Sequence, residues 1–399
     1  MKILVLNCGS SSVKYKLFDM DRKEVQAQGG IEKIGLKDSF LKFVTSNNEK
    51  IILKRNISEH TEGIEFILNT LTGKEQGCLQ SLNEITAVGH RMVHGGEKFN
   101  TSVLITQEVI DQIVQCVELA PLHNPANLKG IYTISKLLPK IPQIAVFDTA
   151  FHQTIPDYAY MYALPYELYT KYGVRRYGFH GTSHRYVSQR ACEFLQTTPA
   201  GKRIITCHIG NGGSITAVKD GKSIDTSMGL TPVEGLMMGT RCGDVDAGAL
   251  TYIMDKKNLD IAGVSDLLNK QSGILGIFGI SSDMRELEKG VAEGNKRAIL
   301  AEAMYNYRIK KYIGVYAAVL GGVDIIVFTG GVGENQGSCR YEVCKDLEFM
   351  GVKIDKEIND RVKGEEAIIS APDSKVKIVV IPTDEEYMIA SDTMNILNN

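Results

Sequence analysis

Two stretches of one design, about 200 residues apart, constrain this chain more than anything else in it. The first is "ILVLNCGSSSVKYKLF" (residues 3–18) and the second "RIITCHIGNGGSITAVKDGK" (residues 203–222). Each is an apolar strand, a turn rich in glycine and small polar residues, and a second strand; in the second stretch Asp220-Gly221 then reads as a further tight turn. A hairpin repeated at that distance predicts a duplicated α/β unit rather than two unrelated domains. Further apolar strands ending in polar residues follow in both halves: residues 85–96 and 141–152 in the first, 323–335 and 377–386 in the second. A helix is expected over 291–320, with Ile299, Ala303, Tyr307, Ile313, Tyr316 and Leu320 as its core or subunit-contact stripe. A last helix should start at a capping box formed by Thr383 and Glu386.

A chain of 399 residues, 43% of them apolar, can fill two cores. Lys plus Arg (45) nearly cancels Asp plus Glu (47), so no whole-chain field draws nucleic acid or an anionic membrane, and neither is expected as a partner. An anion must then be held locally. The eight cysteines show neither CxxC nor Cys/His ligand spacing, which argues against zinc and against a disulfide framework and suits a reduced, cytoplasmic protein. The apolar start breaks at Asn7, short of the roughly 7 to 15 residues of a signal-peptide core, and no run approaches the roughly 18 of a membrane helix.

The tip after Asn7 lacks the second glycine and the following helix of a Walker A loop, so that reading fails. A hairpin tip remains, whose backbone N–H groups and Ser10, Ser11 and Ser12 hydroxyls could converge on phosphate oxygens, with Lys14 as a point charge; an ordinary serine-rich turn fits equally well. The second tip, from His208 to Gly213, favours the phosphate reading, because two such tips could clamp a polyphosphate. A third glycine-rich turn, "GGVGEN" (330–335), ends another strand. Arg91 and Arg241 stand beside glycines, and guanidinium forks bind carboxylate and phosphate bidentately, although a surface salt bridge is the commoner fate of an arginine. Asp148 ends a strand, as a cleft residue or as the cap of the next helix. His180 precedes Thr182 and Ser183, expected caps of a following helix.

The motifs "LNCGSSSVK", "GHRMVHGG", "FDTAFH", "RRYGFHGTSHRYV", "HIGNGGS", "TPVEGLMMGTRCGD", "SSDMRE", "FTGGVGEN" and "IPTDEE" occur in the order and spacing of the acetate kinase family, which this chain resembles over essentially its whole length. The resemblance implies an α/β fold, a duplicated ribonuclease H-like unit of the actin, Hsp70 and sugar kinase type, with ATP in the interdomain cleft. It divides the chain into an N-terminal lobe, 1–150, with the C-terminal helix 385–399 packing back on it, and a nucleotide-binding lobe, 151–384. The implied reaction is reversible Mg2+-dependent phosphoryl transfer from ATP to acetate, with Mn2+ as a substitute ion and a homodimer as the working form. Asn7 and Glu385 resemble the metal-site residues. Ser10, Ser12, Lys14, the run His208, Ile209, Gly210, Asn211, Gly212, the run Asp283, Met284, Arg285, and the run Gly331, Val332, Gly333, Glu334, Asn335 resemble ATP contacts. Arg91 resembles a ligand of the substrate carboxylate, Asp148 the catalytic acid residue, and His180 and Arg241 transition-state stabilisers. Val93, Leu122, Phe179 and Pro232 resemble the pocket for the acetate methyl. Cys242 and Ala247 depart from the family's usual Ser and Pro. A propionate or other short-chain carboxylate kinase is the alternative within the family; Hsp70-like and actin-like proteins share the implied fold without needing paired arginines and an acyl pocket.

Overall fold

The computed structural model describes residues 1–121 and 123–398, which fold as two compact units: unit 1, residues 1–151 with 384–399, and unit 2, residues 152–383. Unit 1 is built on β1 (Lys2–Cys8), β2 (Val13–Asp19), β3 (Glu24–Glu32), β4 (Phe40–Thr45), β5 (Lys50–Lys54), β6 (Ile85–Met92), β7 (Val103–Leu104) and β8 (Gln143–Phe147). They form one sheet of order β5-β4-β3-β2-β1-β6-β8-β7. Unit 2 carries β9 (Arg203–Ile209), β10 (Gly213–Lys219), β11 (Lys222–Thr226), β12 (Ile325–Thr329), β13 (Ala367–Ile368) and β14 (Lys377–Val380), in the order β11-β10-β9-β12-β14-β13.

The core of each sheet is the same. β3-β2-β1-β6-β8 and β11-β10-β9-β12-β14 both run antiparallel through the first three strands and parallel through the rest. This is the layout a duplicated ribonuclease H-like unit requires. β1 and β9 are both buried along their length on two faces, as strands flanked by helices must be. In β1, alternation sends Leu4 and Leu6 into a core with Ile64, Ile67 and Leu71 of the helix His60–Leu71, and Ile3 and Val5 into a second core with Ile389 and Ala390 of the terminal helix Glu385–Asn398. In unit 2, Ile205, Cys207 and Ile209 pack with Tyr305, Ile309, Ile313 and Leu320 of the helix Lys296–Leu320.

Three local expectations differ from what forms. The helix Lys296–Leu320 does bury Ile313, Tyr316 and Leu320, but its first half buries Ala298, Ala301 and Tyr305 and leaves Ile299 and Tyr307 exposed. Residues 330–335 are a short helix, not a turn, because the Glu334 carboxylate folds back to accept from the Gly330 N–H at 2.8 Å and the Thr329 hydroxyl at 3.2 Å. The terminal helix starts one residue later than a Thr383 cap requires: Asp384 accepts from the Tyr387 N–H at 3.0 Å, while Glu386 lies 3.7 Å from Lys16. The Asp220-Gly221 turn forms as read, with both residues at positive φ (52° and 75°) between paired Lys219 and Lys222.

Candidate active site

In unit 1 the parallel registers gather the polar residues at one end of the sheet. Leu6 pairs with His90, which brings Asn7 level with Arg91, and Met92 pairs with Phe147, which sets Asp148 beside Arg91. The Asp148 N–H donates to the Met92 carbonyl at 2.9 Å and fixes that position. Such strand ends are where open α/β sheets hold ligands. Arg91 donates from Nε to Asp148 Oδ1 at 3.2 Å, from Nη2 to Oδ2 at 2.6 Å, and from Nη1 to Asn7 Oδ1 at 3.3 Å. Asp148 is 1% exposed, so it caps no helix at the surface; its carboxylate is committed to the guanidinium.

Glu385, first residue of the terminal helix, stands 4.0 Å from Arg91 Nε. Burial pushes its carboxyl up to about 7; Arg91 opposes the rise, and Asp148 and Glu386 add to it. The Asp148 charge, with burial working against it, raises Arg91 above its ordinary value. The hairpin tip at residues 9–12 is closed by the Gly9 N–H donating to the Ser12 carbonyl at 2.8 Å, and His60 Nε2 lies 2.6 Å from the Gly9 carbonyl. Ser10 and Lys14 are exposed and Ser12 half-buried. Val93 is buried, its N–H donating to Asn127 Oδ1 at 3.1 Å, while Asn127 Nδ2 donates to the Cys8 carbonyl at 2.8 Å. Leu122 lies outside the described residues.

Unit 2 assembles a different set. The tip at residues 210–212 is closed by the Gly210 N–H on the Gly212 carbonyl at 3.0 Å. A Cβ on Gly212 would stand 3.4 Å from Arg241 Nη1 and 3.7 Å from His180 Cε1, so the tip, the arginine and the histidine are neighbours. His180 occupies the left-handed region (φ 56°) as the residue before the helix Gly181–Phe194, rare for a side chain of this size. Thr182 and Ser183 therefore sit inside the first turn rather than capping it. The His180 ring stacks on His208 at 4.3 Å, and its Nδ1 is 2.9 Å from Ser214 Oγ. Among the described residues the Arg241 side chain donates to the Pro232 carbonyl at 3.4 Å and the Met238 sulfur at 3.6 Å and pairs with no carboxylate, and burial lowers its pKa. Phe179 is buried, its carbonyl accepting from His152 Nε2 at 3.0 Å.

A cavity of about 650 Å³ in unit 2 is lined by Gly210, Asn211, Asp283, Met284, Arg285, Gly331, Val332 and Asn335, all expected, and by Ser282, Glu288, Gln336 and Lys363, which were not. Asp283 caps the helix Met284–Ala292 and pairs with Arg285 at 2.6 Å, which holds its carboxyl down at about 2. Ile209 and Gly333 are buried, and Glu334 is turned inward.

Sequence reading missed two supports. Asn127 joins Val93 to the end of β1; the only sign of it is the "HNPAN" run opening the helix Asn124–Leu137. Arg340 is fully buried and donates to the carbonyls of Gly333, Asn359 and Val362 at 2.8–2.9 Å, tying the helix at 330–335 to the segment before Lys363; nothing in its sequence neighbourhood marks it.

The described residues hold no cluster of three His, Cys, Asp or Glu side chains fit for a metal. Asn7 and Glu385 nevertheless offer oxygen, and a cation would oppose the rise that burial imposes on the Glu385 carboxyl. That suits Mg2+, which binds through one or two protein oxygens and completes its shell with phosphates and water.

A family model described as the acetokinase family matches residues 2–391. The acetate kinase of Phocaeicola vulgatus is 73% identical over 398 residues, with 100% of both chains covered. Among solved structures, Porphyromonas gingivalis acetate kinase superposes with a TM-score of 0.96 at 61% identity, covering 99% of each chain, and a propionate kinase from Francisella tularensis with 0.92 at 43%, again over 99% of each.

Proposed function

The chain belongs to the acetokinase family, and from that premise we propose that it transfers the γ-phosphoryl group of ATP to acetate, giving acetyl phosphate and ADP, and catalyses the reverse. The observation that carries this reading is Arg241, a half-buried guanidinium with no carboxylate partner among the described residues, beside His180 and a glycine tip. Such a group awaits an anion, and a transferring phosphoryl group is one.

Acetate needs no general base, because a simple carboxylic acid, like Glu near 4.3, is ionised at neutral pH. Asp148 accordingly acts through Arg91. Its two oxygens, with Asn7, engage three of the five guanidinium N–H donors and leave two to receive the acetate carboxylate. Val93 and Phe179, both buried, and Pro232 are the residues we assign to the acetate methyl on the family resemblance. Asn7 and Glu385 would hold Mg2+, or Mn2+ in its place, which when bound offsets the phosphate charge. The nucleotide lies against Gly331, Asn211 and Asp283–Arg285 in the cavity of unit 2, and Lys14 meets phosphate. The protein works as a homodimer through the outer face of the helix Lys296–Leu320, where Ile299, Leu300, Met304, Tyr307, Val315 and Val319 are exposed. Free cysteines suit the cytoplasm.

Trapping acyl phosphate with hydroxylamine from Mg·ATP and acetate, propionate or butyrate tests the reading: product should be greatest with acetate. A propionate optimum would revise the pocket. No product from any acid, with ATP still bound, would end the proposal.

A further inference from the structure

One half-buried polar cluster in unit 2 belongs to none of the roles above. The Tyr162 hydroxyl donates to Glu234 Oε2 at 2.5 Å and accepts from the Leu230 N–H at 2.9 Å. Arg176 Nη2 donates to Glu234 Oε1 at 2.7 Å, and its Nη1 reaches the carbonyls of Thr226, Ser227 and Met228 at 2.9, 3.3 and 3.1 Å. The N–H groups of Tyr177 and Gly178 donate to the Gly229 carbonyl at 3.1 and 3.2 Å.

The loop 226–234 therefore hangs on residues 176–178, immediately before Phe179, and on one tyrosine. Pro232 lies between its two attachments to Tyr162, at Leu230 and Glu234, and its carbonyl accepts from Arg241. The approach is close: a Cβ at Gly229 would stand 1.8 Å from Glu234 Oε2 and 2.2 Å from the Tyr162 oxygen, so a side chain there would displace that hydrogen-bonded pair. Glu234 and Arg176 are 31% and 16% exposed, so their pairing is largely shielded from water. Asp225 lies 3.8 Å from Arg176 Nε as a second acid on the same guanidinium.

We propose that Tyr162, Arg176 and Glu234 are positioning residues for acid selection, fixing the loop that carries Pro232 to the segment leading into Phe179 without touching the substrate themselves. This rests on the reading of Phe179 and Pro232 as methyl-pocket walls. Nothing in the cluster lines the nucleotide cavity, so its influence falls on the acid side.

The test is steady-state kinetics of Tyr162→Phe and Glu234→Gln. Each removes or weakens hydrogen bonds at an ionised acceptor, worth about tenfold or more when carried to binding. The KM for acetate should rise about tenfold, the KM for ATP should stay within about twofold, and the acetate-to-propionate ratio of kcat/KM should fall at least about threefold. Glu234→Gln keeps the side-chain shape, so it supplies the measurement if Tyr162→Phe does not fold. Folded variants with an unchanged acid ratio, or with equal rises in both KM values, overturn the proposal while the function stands. A wild-type protein that binds ATP and phosphorylates no acid overturns both.

Discussion

Arg91 in unit 1 and Arg241 in unit 2 are the same side chain in opposite electrostatic settings. Arg91 has both oxygens of Asp148 on it and Glu385 at 4.0 Å, while Arg241 has a carbonyl at 3.4 Å and a sulfur at 3.6 Å. One guanidinium is set in place by charges that already balance it. The other is half-buried with no described carboxylate on it, a standing cost that an incoming anion relieves. The duplicated sheet thus carries an arginine preset by carboxylates at one set of strand ends, and an arginine with no described carboxylate at the other.

The largest effect expected from that contrast is on turnover. Arg241→Ala should lower kcat by about 10³-fold or more and leave Tm nearly unchanged, since no ion pair is broken. A normal kcat, or a large fall in Tm, would erase the distinction between the two arginines. Arg91→Ala should reduce activity and also destabilise the protein by about 3 to 5 kcal/mol, because Asp148 is left buried and uncompensated. Replacing the pair together, Arg91→Met with Asp148→Leu, should restore Tm without activity. Denaturant titration of the single and double variants reads both outcomes.

Acid separates the units differently. His90 in unit 1 and His152 in unit 2 are each pushed by burial from 6.5 to about 4, and His184 in unit 2 is lowered well below 6.5 for the same reason. The unfolded chain takes up protons below 6.5 while the fold keeps these rings neutral, so their stability is whole above 6.5 and is lost as pH falls towards 4, at roughly 3 kcal/mol for each ring at about 4. Buried acids run the other way. Glu385, raised to about 7, offsets His90 in unit 1; in unit 2 Asp225, raised to about 6 by burial, and Glu302, also raised by burial, offset part of the loss at His152 and His184. To that loss Asp266, Asp283, Asp324, Asp360 and Asp373, all lowered by hydrogen bonds from their partners, add their own in acid. Without Mg2+ and nucleotide, hydrogen exchange between pH 6.5 and 4 should therefore open β9 and β10 before β1 and β6. The reverse order would contradict this balance.

Both hairpins were legible because an apolar run, a glycine-rich tip and an alternating strand are local signals, and so was the Asp220-Gly221 turn. The pairing of Arg91 with Asp148 was not, since it is made by the parallel registers of β6 and β8 across residues far apart in sequence. The helix Lys296–Leu320 has apolar residues on two faces, so periodicity identified the helix without identifying its buried side. "GGVGEN" reads as a turn until Glu334 is known to fold back on Gly330, and adjacent Thr383 and Asp384 are both plausible caps until the Thr383 hydroxyl is found on Ser183 and the Tyr387 N–H on Asp384. The motif residues were found by family resemblance; of the supports that hold them, Arg340 carries no local mark, Asn127 only the "HNPAN" run, and Arg176 and Glu234 stand inside two of the motifs without their pairing being readable there.

The smallest expected effect sharpens the acid side of unit 1. Val93 is 7% exposed and its backbone is tied to Asn127, so shortening its side chain opens space without moving the strand end. One methylene in an apolar pocket is worth about 1 to 3 kcal/mol, and the enlarged pocket gives propionate only part of that. Val93→Ala should therefore raise kcat/KM for propionate relative to acetate by about three- to tenfold, with kcat on acetate falling far less than in either arginine variant. Competition between the two acids at saturating ATP measures the ratio. An unchanged ratio would remove Val93 from the pocket and leave acid selection to unit 2, where Tyr162→Phe should then show the larger shift.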